Sequence, residues 1–269
     1  MDVSKTLTGG SLFSGIGGMD KGFEDAGIEI RWQVEIDPYC RRVLKKHWPD
    51  VKRYGDVRKL KRLPPVDILF GGFPCQPVSL AGSREFQKDK RWLWPEFNRI
   101  IRMLRPRWVV IENVEGLQTN GLAEILKALA ESGYDAEWDR LPASAFGAPH
   151  LRYRIFILAY PRTDEPEPRI FREEWERNFR AGDYIASHAA LRKGSLSRID
   201  AEAEAVPFKV GIARLGIAHG RGWPVEPRVA RVAHGVPAYV DRIRGLGNAV
   251  VPRVTEWIGC RIIEYEIGR

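Results

Sequence analysis

Four short stretches hold the residue types from which a reactive site could be built. The first is Phe13-Ser14-Gly15-Ile16-Gly17-Gly18, lying between an apolar run and a helical one. Glycines at such a junction let backbone approach a ligand closely. Glu35 closes the next apolar run, where a carboxylate suits hydrogen bonds to ribose hydroxyls. Read alone, the glycine turn either serves a nucleotide-type ligand or merely reverses the chain; Glu35 favours the ligand. Gly55-Asp56-Val57 could end a third strand, where its carboxylate would meet an adenine amino group or simply hold a turn.

The second stretch is Phe73-Pro74-Cys75-Gln76-Pro77, directly after the apolar run Asp67 to Phe70. In an open parallel sheet the carboxyl ends of the strands form the ligand crevice. A thiol fixed there by flanking prolines suits a nucleophile, against the commoner fate of a lone cysteine as a buried structural group. Cys40 and Cys260 fall within helical patterns and read as inert. The third stretch, Glu112-Asn113-Val114, ends another apolar run. A carboxyl group in a partly dry pocket is held protonated and can act as acid or donor. The fourth is His150-Leu151-Arg152-Tyr153-Arg154. Strand alternation would put Arg152 and Arg154 on one face, an arrangement that calls for an anion or a carboxylate.

The elements needed to position these groups alternate. Strands are expected at Leu7 to Phe13, Ile30 to Ile36, Val66 to Phe70, Trp108 to Ile111 and Arg154 to Ala159. Helices are expected up to about Ala26, up to about His47, and over Trp92 to Leu104 and Leu122 to Glu131. Strands alternating with helices predict an α/β fold with a mostly parallel sheet covered on both faces. The rhythm stops at Pro161. Residues 161–226 mix charges without a βα pattern, and Pro166 and Pro168 mark a linker. Order returns over 227–269, where Gly245-Leu246-Gly247-Asn248 reads as a turn before an amphipathic helix from about Pro252. The organisation predicted is a core domain over 1–160, an inserted smaller region over 161–226, and a segment over 227–269 that returns to the core.

Composition narrows the function classes. With 269 residues, 44% apolar and 29% charged, the chain can bury a substantial core, which excludes disordered and low-complexity classes. Three widely spaced cysteines exclude a disulfide scaffold and show no metal-ligand spacing. The first residues lack an apolar signal core, and the longest uncharged stretch, near 68–83, is too short and too broken by prolines to span a bilayer. A reduced, cytoplasmic protein is expected, with no membrane partner. The net charge of +8 points weakly to a polyanion. The excess is spread: 25 basic against 20 acidic residues over 1–160, 12 against 11 over 161–230, and 6 against 4 over 231–269. A nucleic acid would therefore meet a surface assembled from several segments. Of the basic residues 31 are Arg, which makes bidentate contacts to phosphate and guanine but also follows from a GC-rich genome.

Taken in order, the glycine turn, Glu35, Asp56, Pro74-Cys75-Gln76, Glu112-Asn113-Val114, Arg152-x-Arg154 and Gly247-Asn248-Ala249-Val250 resemble the DNA (cytosine-5) methyltransferase family, in its compact phage or prokaryotic form. The resemblance spans about 1–160 and 226–258. It implies a Rossmann-like, S-adenosyl-L-methionine-dependent methyltransferase sheet with helices on both faces and a small target-recognition region. It implies that Phe13, Ser14, Gly15, Gly17 and Gly18 shape the cofactor site. Glu35 would hold the ribose, Ile36 would pack on the adenine, and Asp56 and Val57 would read the adenine edge. Pro74, Asn248 and Ala249 would complete that site. Cys75 would be the nucleophile and Glu112 the contact to the target cytosine, with Arg152 and Arg154 supporting the base. Gln76, Ser79, Arg84 and Arg91 would meet DNA from a loop that follows Cys75. Arg169, Arg172, Arg177, Arg180, Arg192 and Arg221 are further candidates for groove contacts. The sequence departs from the family at Ser11, where an aspartate is usual, and at His150, where a glutamine is usual.

The resemblance implies methyl transfer to carbon 5 of a flipped-out cytosine in a specific duplex sequence, without a metal, by a monomer. A separate cognate restriction endonuclease is a further partner it suggests. Three alternatives remain at this point. A tRNA cytosine methyltransferase would carry a Cys-Phe-Thr signature that this chain lacks. A non-catalytic, methyltransferase-like DNA-binding module would keep the fold without turnover. A nicotinamide dehydrogenase would explain the glycine turn and nothing else.

Overall fold

The computed structural model describes residues 6–74, 92–148, 150–163, 170–171 and 239–268. The chain separates into two compact units, Met1–Pro166 with Val225–Arg269, and Glu167–Pro224. All described residues except Ile170 and Phe171 belong to the first.

That unit is built on seven strands: β1 (Thr8–Leu12), β2 (Glu29–Val34), β3 (Lys52–Tyr54), β4 (Ile68–Gly71), β5 (Trp108–Val114), β6 (Tyr134–Pro142) and β7 (Tyr153–Pro161). They lie in the order β3-β2-β1-β4-β5-β7-β6. The first five are parallel, whereas β7 runs antiparallel to both β5 and β6. From β1 the chain steps outward through β2 to β3, then returns to place β4 on the other side of β1. The order therefore reverses between β1 and β4, and the crevice of an open α/β sheet forms at the carboxyl ends of two such strands.

The described helices are α1 (Gly18–Asp25), α2 (Pro38–His47), α3 (Trp94–Leu104), α4 (Leu117–Asn120), α5 (Leu122–Glu131), α6 (Tyr239–Asn248) and α7 (Pro252–Ile267). Strand alternation gives each sheet face its own core. Leu69, Val109 and Ile111 pack with Phe97, Ile100, Ile125 and Leu129 of α3 and α5. On the other face Phe70 meets Phe23 of α1 at 4.5 Å between ring centres, and Trp108 meets Tyr265 of α7 at 5.5 Å. Trp108 also donates from Nε1 to Glu266 at 2.7 Å, so the last helix is fixed to β5.

Local chemistry sets the ends of the elements near the crevice. Asp37 caps α2 by accepting from the backbone of Tyr39 and Cys40, with Pro38 preset at the first helical position. Gly17 caps α1 in the left-handed region, at φ 88. Trp48 occupies the space a side chain there would need.

Two expectations change. Residues 134–142 were not anticipated as a strand. They form β6, the sheet edge, whose charged residues stand partly in solvent. Gly245-Leu246-Gly247-Asn248 is not a free turn but the last turn of α6, because glycine costs little at a fraying helix end.

Candidate active site

A cavity of about 680 Å³ opens at the carboxyl ends of β1, β2, β4 and β5, within the size range of small-molecule sites. One end is made mainly of backbone. Phe13 leaves β1 with a left-handed φ of 54, followed by Gly15 at φ 55. The Gly15 N–H donates to Glu35 Oε2 at 2.7 Å, and a side chain at Gly15 would meet open space. Glu35 Oε1 accepts from the Asp37 N–H, also at 2.7 Å. Burial raises the pKa of Glu35, while these two backbone donors pull the other way. Ile36 lines the cavity yet is 61% exposed, an apolar face largely uncovered among the described residues. Asp56 borders the same end, its carboxylate held by Arg58, with Val57 buried behind it.

The other end is made of charged side chains. Glu112 stands near the end of β5, and Arg154 reaches it from β7 with Nε 3.0 Å from Oε1. Antiparallel pairing explains the meeting. Residue 112 lies opposite Phe156 and Val114 opposite Arg154, so the beginning of β7 is brought to the end of β5, on a diagonal that long side chains span. Burial pushes the Glu112 carboxyl up to about 7, against the opposing pull of Arg154 and then Arg152. Gly72 makes room for it, because a side chain at 72 would run into Oε2. Asn113 donates from Nδ2 to Phe73 O at 3.3 Å, and its Oδ1 accepts from the Val114 N–H at 2.9 Å. The Phe73-Pro74 backbone, which leads directly into Cys75, is thereby tied to β5.

Most sequence-predicted site residues are brought together here. Phe13, Ser14, Gly15, Gly18, Glu35, Ile36, Asp56, Val57, Pro74, Glu112, Arg154, Asn248 and Ala249 all line the cavity. Gly17 does not; it faces Trp48. Arg152 lies outside the strand that was expected to align it with Arg154. β7 begins at Tyr153, and Arg152 has φ 34. Its Nη2 instead donates to Gly247 O at 2.6 Å and Ala249 O at 2.8 Å. Cys75, Gln76, Ser79, Arg84 and Arg91 lie outside the described residues, as do Arg169, Arg172, Arg177, Arg180, Arg192 and Arg221. Burial pushes the thiols of Cys40 and Cys260 up to about 12 and about 11, which suits inert cysteines.

Sequence reasoning missed two features. Asp20, in the first turn of α1, is fully buried. Its carboxylate accepts from Ser11 Oγ at 3.0 Å and from Gln33 Nε2 at 2.9 Å. Burial pushes Asp20 up to about 6 against those bonds. A carboxylate thus does stand behind the glycine turn, supplied by the helix, with Ser11 as its donor. The signal was Gln33 inside an apolar strand. The second feature is how tightly the returning segment closes the cavity. A side chain at Gly18 would lie 2.5 Å from Val250 O, and Arg244 Nη2 sits 2.5 Å from Asp37 Oδ2.

The donor set fits a nucleoside-bearing ligand: an open backbone cradle at Gly15, a carboxylate at a strand end, and an apolar face at Ile36. Among the described residues no group of three or more His, Cys, Asp or Glu is placed to hold a metal.

A family model described as C-5 cytosine-specific DNA methylase matches residues 7–201. The Type II methyltransferase M.NgoBV of Neisseria gonorrhoeae is 38% identical over 166 residues, which are 54% of this chain and 39% of that protein. The Type II methyltransferase M2.BsuMI of Bacillus subtilis is 30% identical over 287 residues, 93% of this chain and 73% of that one. The chain thus spans about two fifths of the Neisseria relative and nearly three quarters of the Bacillus one. Among solved structures, the S. pombe Dnmt2 methyltransferase covers 98% of this chain and is itself wholly covered, with TM-score 0.61 and 17% identity. That likeness concerns the fold.

Proposed function

This chain belongs to the C-5 cytosine-specific DNA methylase family, and from that premise we propose that it methylates carbon 5 of a cytosine flipped out of a specific duplex DNA sequence. S-adenosyl-L-methionine is the methyl donor in this reading. The observation that carries it is the single cavity that joins a backbone-lined nucleoside cradle to a buried, protonatable Glu112, with Phe73-Pro74 leading into Cys75. When bound, the cofactor supplies an electrophilic methyl group. Gly15, Glu35, Ile36 and Asp56 would hold it, with Asn248 and Ala249 as the facing wall.

The remaining steps are the work of the chain's own side chains. Carbon 5 of cytosine is a weak nucleophile. The Cys75 thiolate adds to carbon 6, forming an S–C bond and shifting an electron pair through the ring to carbon 5. A free thiol has a pKa of about 8.5, so cations beside the site must favour the thiolate. Glu112, held protonated near neutral pH by burial, donates a hydrogen bond to ring nitrogen 3 as negative charge builds there. Arg154 keeps the Glu112 carboxyl oriented. After methylation, the carbon 5 proton passes to water, its bonding electrons restore the ring double bond, and the S–C bond breaks to release Cys75 as thiolate. The base must leave the duplex to reach this pocket, at a cost of a few kcal/mol. Gln76, Ser79, Arg84 and Arg91 are proposed to hold the DNA around it.

We further propose residues 1–160 as catalytic and cofactor-binding, 161–226 as target-recognition, and 227–269 as the segment that completes the cofactor wall. The relatives' Type II names support a modification role beside a separately acting restriction endonuclease. Monomeric action in the cytoplasm is part of the same reading.

Cys75→Ser is expected to abolish methyl transfer. DNA containing 5-fluorocytosine is expected to give a stable covalent adduct with the wild type and none with the variant. Turnover by the serine variant, or no adduct with the wild type, would overturn the mechanism. Bisulfite sequencing of plasmid from an expressing host reads both the methylated atom and its sequence context.

A further inference from the structure

We propose that Arg152 is a positioning residue that holds the cofactor wall at Gly247–Ala249, while its neighbour Arg154 holds Glu112 at the other end of the cavity. The proposal rests on reading the cavity as a cofactor and base site. Two neighbouring arginines divide the labour. Arg154 turns to Glu112. Arg152 turns away and donates from Nη2 to the carbonyls of Gly247 and Ala249. Those carbonyls sit at the C-terminal end of α6, where backbone acceptors lack helical partners and the helix dipole favours a cation. Asn248, between them, and Ala249 both line the cavity, so a shift of Arg152 moves the wall itself.

The arrangement is costly, which argues that something requires it. Arg152 is one of three described non-glycine residues with positive φ, a conformation disfavoured for a side chain of its size. Its Nε is buried and has no hydrogen-bond partner among the described residues, although unpaired buried donors are rare. Strain and a sacrificed donor meet at one residue. Such departures persist where surrounding structure over-determines them, and here the gain is a single nitrogen reaching two carbonyls. The opposite wall leaves little slack: a side chain at Gly18 would collide with Val250 O, so the segment can retreat but not advance. Arg244 ties the segment to Asp37 on one side, and Arg152 opposes the retreat at the carbonyls of Gly247 and Ala249.

The test is calorimetric binding of S-adenosyl-L-homocysteine to the full chain without DNA. Arg152→Ala is expected to weaken binding about 10- to 100-fold, the scale set by losing two charge-assisted hydrogen bonds. Arg152→Lys, a point charge able to reach a carbonyl, is expected to recover part of the loss. Arg154→Ala, which unpairs Glu112 at the other end of the cavity, is expected to weaken binding by less than Arg152→Ala does. Backbone amides over residues 246–250 should exchange faster in Arg152→Ala than in Arg154→Ala. Equal affinity in wild type and Arg152→Ala overturns the proposal, as do equal losses in the two alanine variants. If Arg152→Ala does not fold, Arg152→Lys against Arg154→Lys decides by the same criterion. Failure of the wild type to bind would instead refute the cofactor reading beneath it.

Discussion

The two ends of the cavity each hold a buried carboxylate at the end of a strand, and they treat it in opposite ways. Glu35 directly follows β2 and is held by two backbone N–H groups, from Gly15 and Asp37. Glu112 is held by a guanidinium, and burial takes it close to neutrality. In the proposed reaction the first arrangement keeps an acceptor fixed for a ligand whose charge does not change at that point, and the second keeps a proton available where charge develops. One end is a mould made by chain shape; the other is an electrostatic device made by side chains. The difference predicts that damage to the first shows in cofactor affinity and damage to the second in turnover.

The sharpest way to break the comparison is to neutralise each acid in turn. Glu112→Gln should lower kcat by about 10²- to 10⁴-fold, the span typical of removing a general acid or electrostatic stabiliser. Glu35→Gln should raise the cofactor KM by about 10- to 100-fold, because one of its two backbone donors would face an amide N–H, and should lower kcat far less. Steady-state kinetics on a plasmid substrate reads both, and a kcat loss as large at Glu35 would end the distinction.

Two glycines test it through shape. A side chain at Gly72 would strike Glu112 Oε2, and one at Gly18 would strike Val250 O. Gly72→Ala should therefore lower kcat about 10-fold or more. Gly18→Ala should raise the cofactor KM by a similar factor, and overpacking should cost about 1–3 kcal/mol in a urea titration.

Acidity offers a finer test. If Glu112 acts as a donor, turnover should fall as pH rises through about 7, and Glu112→Gln should lose that limb of the profile. The stability consequence follows by linkage. The folded-state values of Glu112 and Asp20 are raised from 4.5 and 3.8 to about 7 and about 6. Their contribution is therefore full below the unfolded values and is lost as pH rises through the folded ones. The unfolding free energy from urea titrations should decline between pH 4 and 7 by up to on the order of 3 kcal/mol per group, and Asp20→Asn should remove the lower part of that decline. The smallest expected effect is at Ile36. Trimming it to Val should raise the cofactor KM about 3- to 5-fold, as loss of one methylene of apolar contact at about 0.8 kcal/mol would give.

These contrasts follow how legible each part was in the sequence. The β1–α1–β2–α2 half could be read because its strands are apolar runs with glycine or Asx punctuation, and Asp37-Pro38 caps a helix in plain view. Glu35 and Glu112 were found because each ends such a run. β6 was missed because an edge strand alternates charged with partly buried residues, a pattern that also reads as a helix surface or a loop. Arg152 was placed on the wrong face because alternation was extended one residue beyond where β7 begins. Asp20 escaped because its burial depends on Ser11 and Gln33, which come from two other elements. Contacts between distant segments leave little trace in local periodicity.

The order of synthesis gives the returning segment one last consequence. By Pro161 all seven described strands have been translated, yet Asn248, Ala249 and Val250, which close the cavity against Gly18, are still to be translated. A nascent chain can therefore assemble these strands while lacking the wall proposed to retain the methyl donor, and on that reading translation itself delays activity until the last two helices emerge.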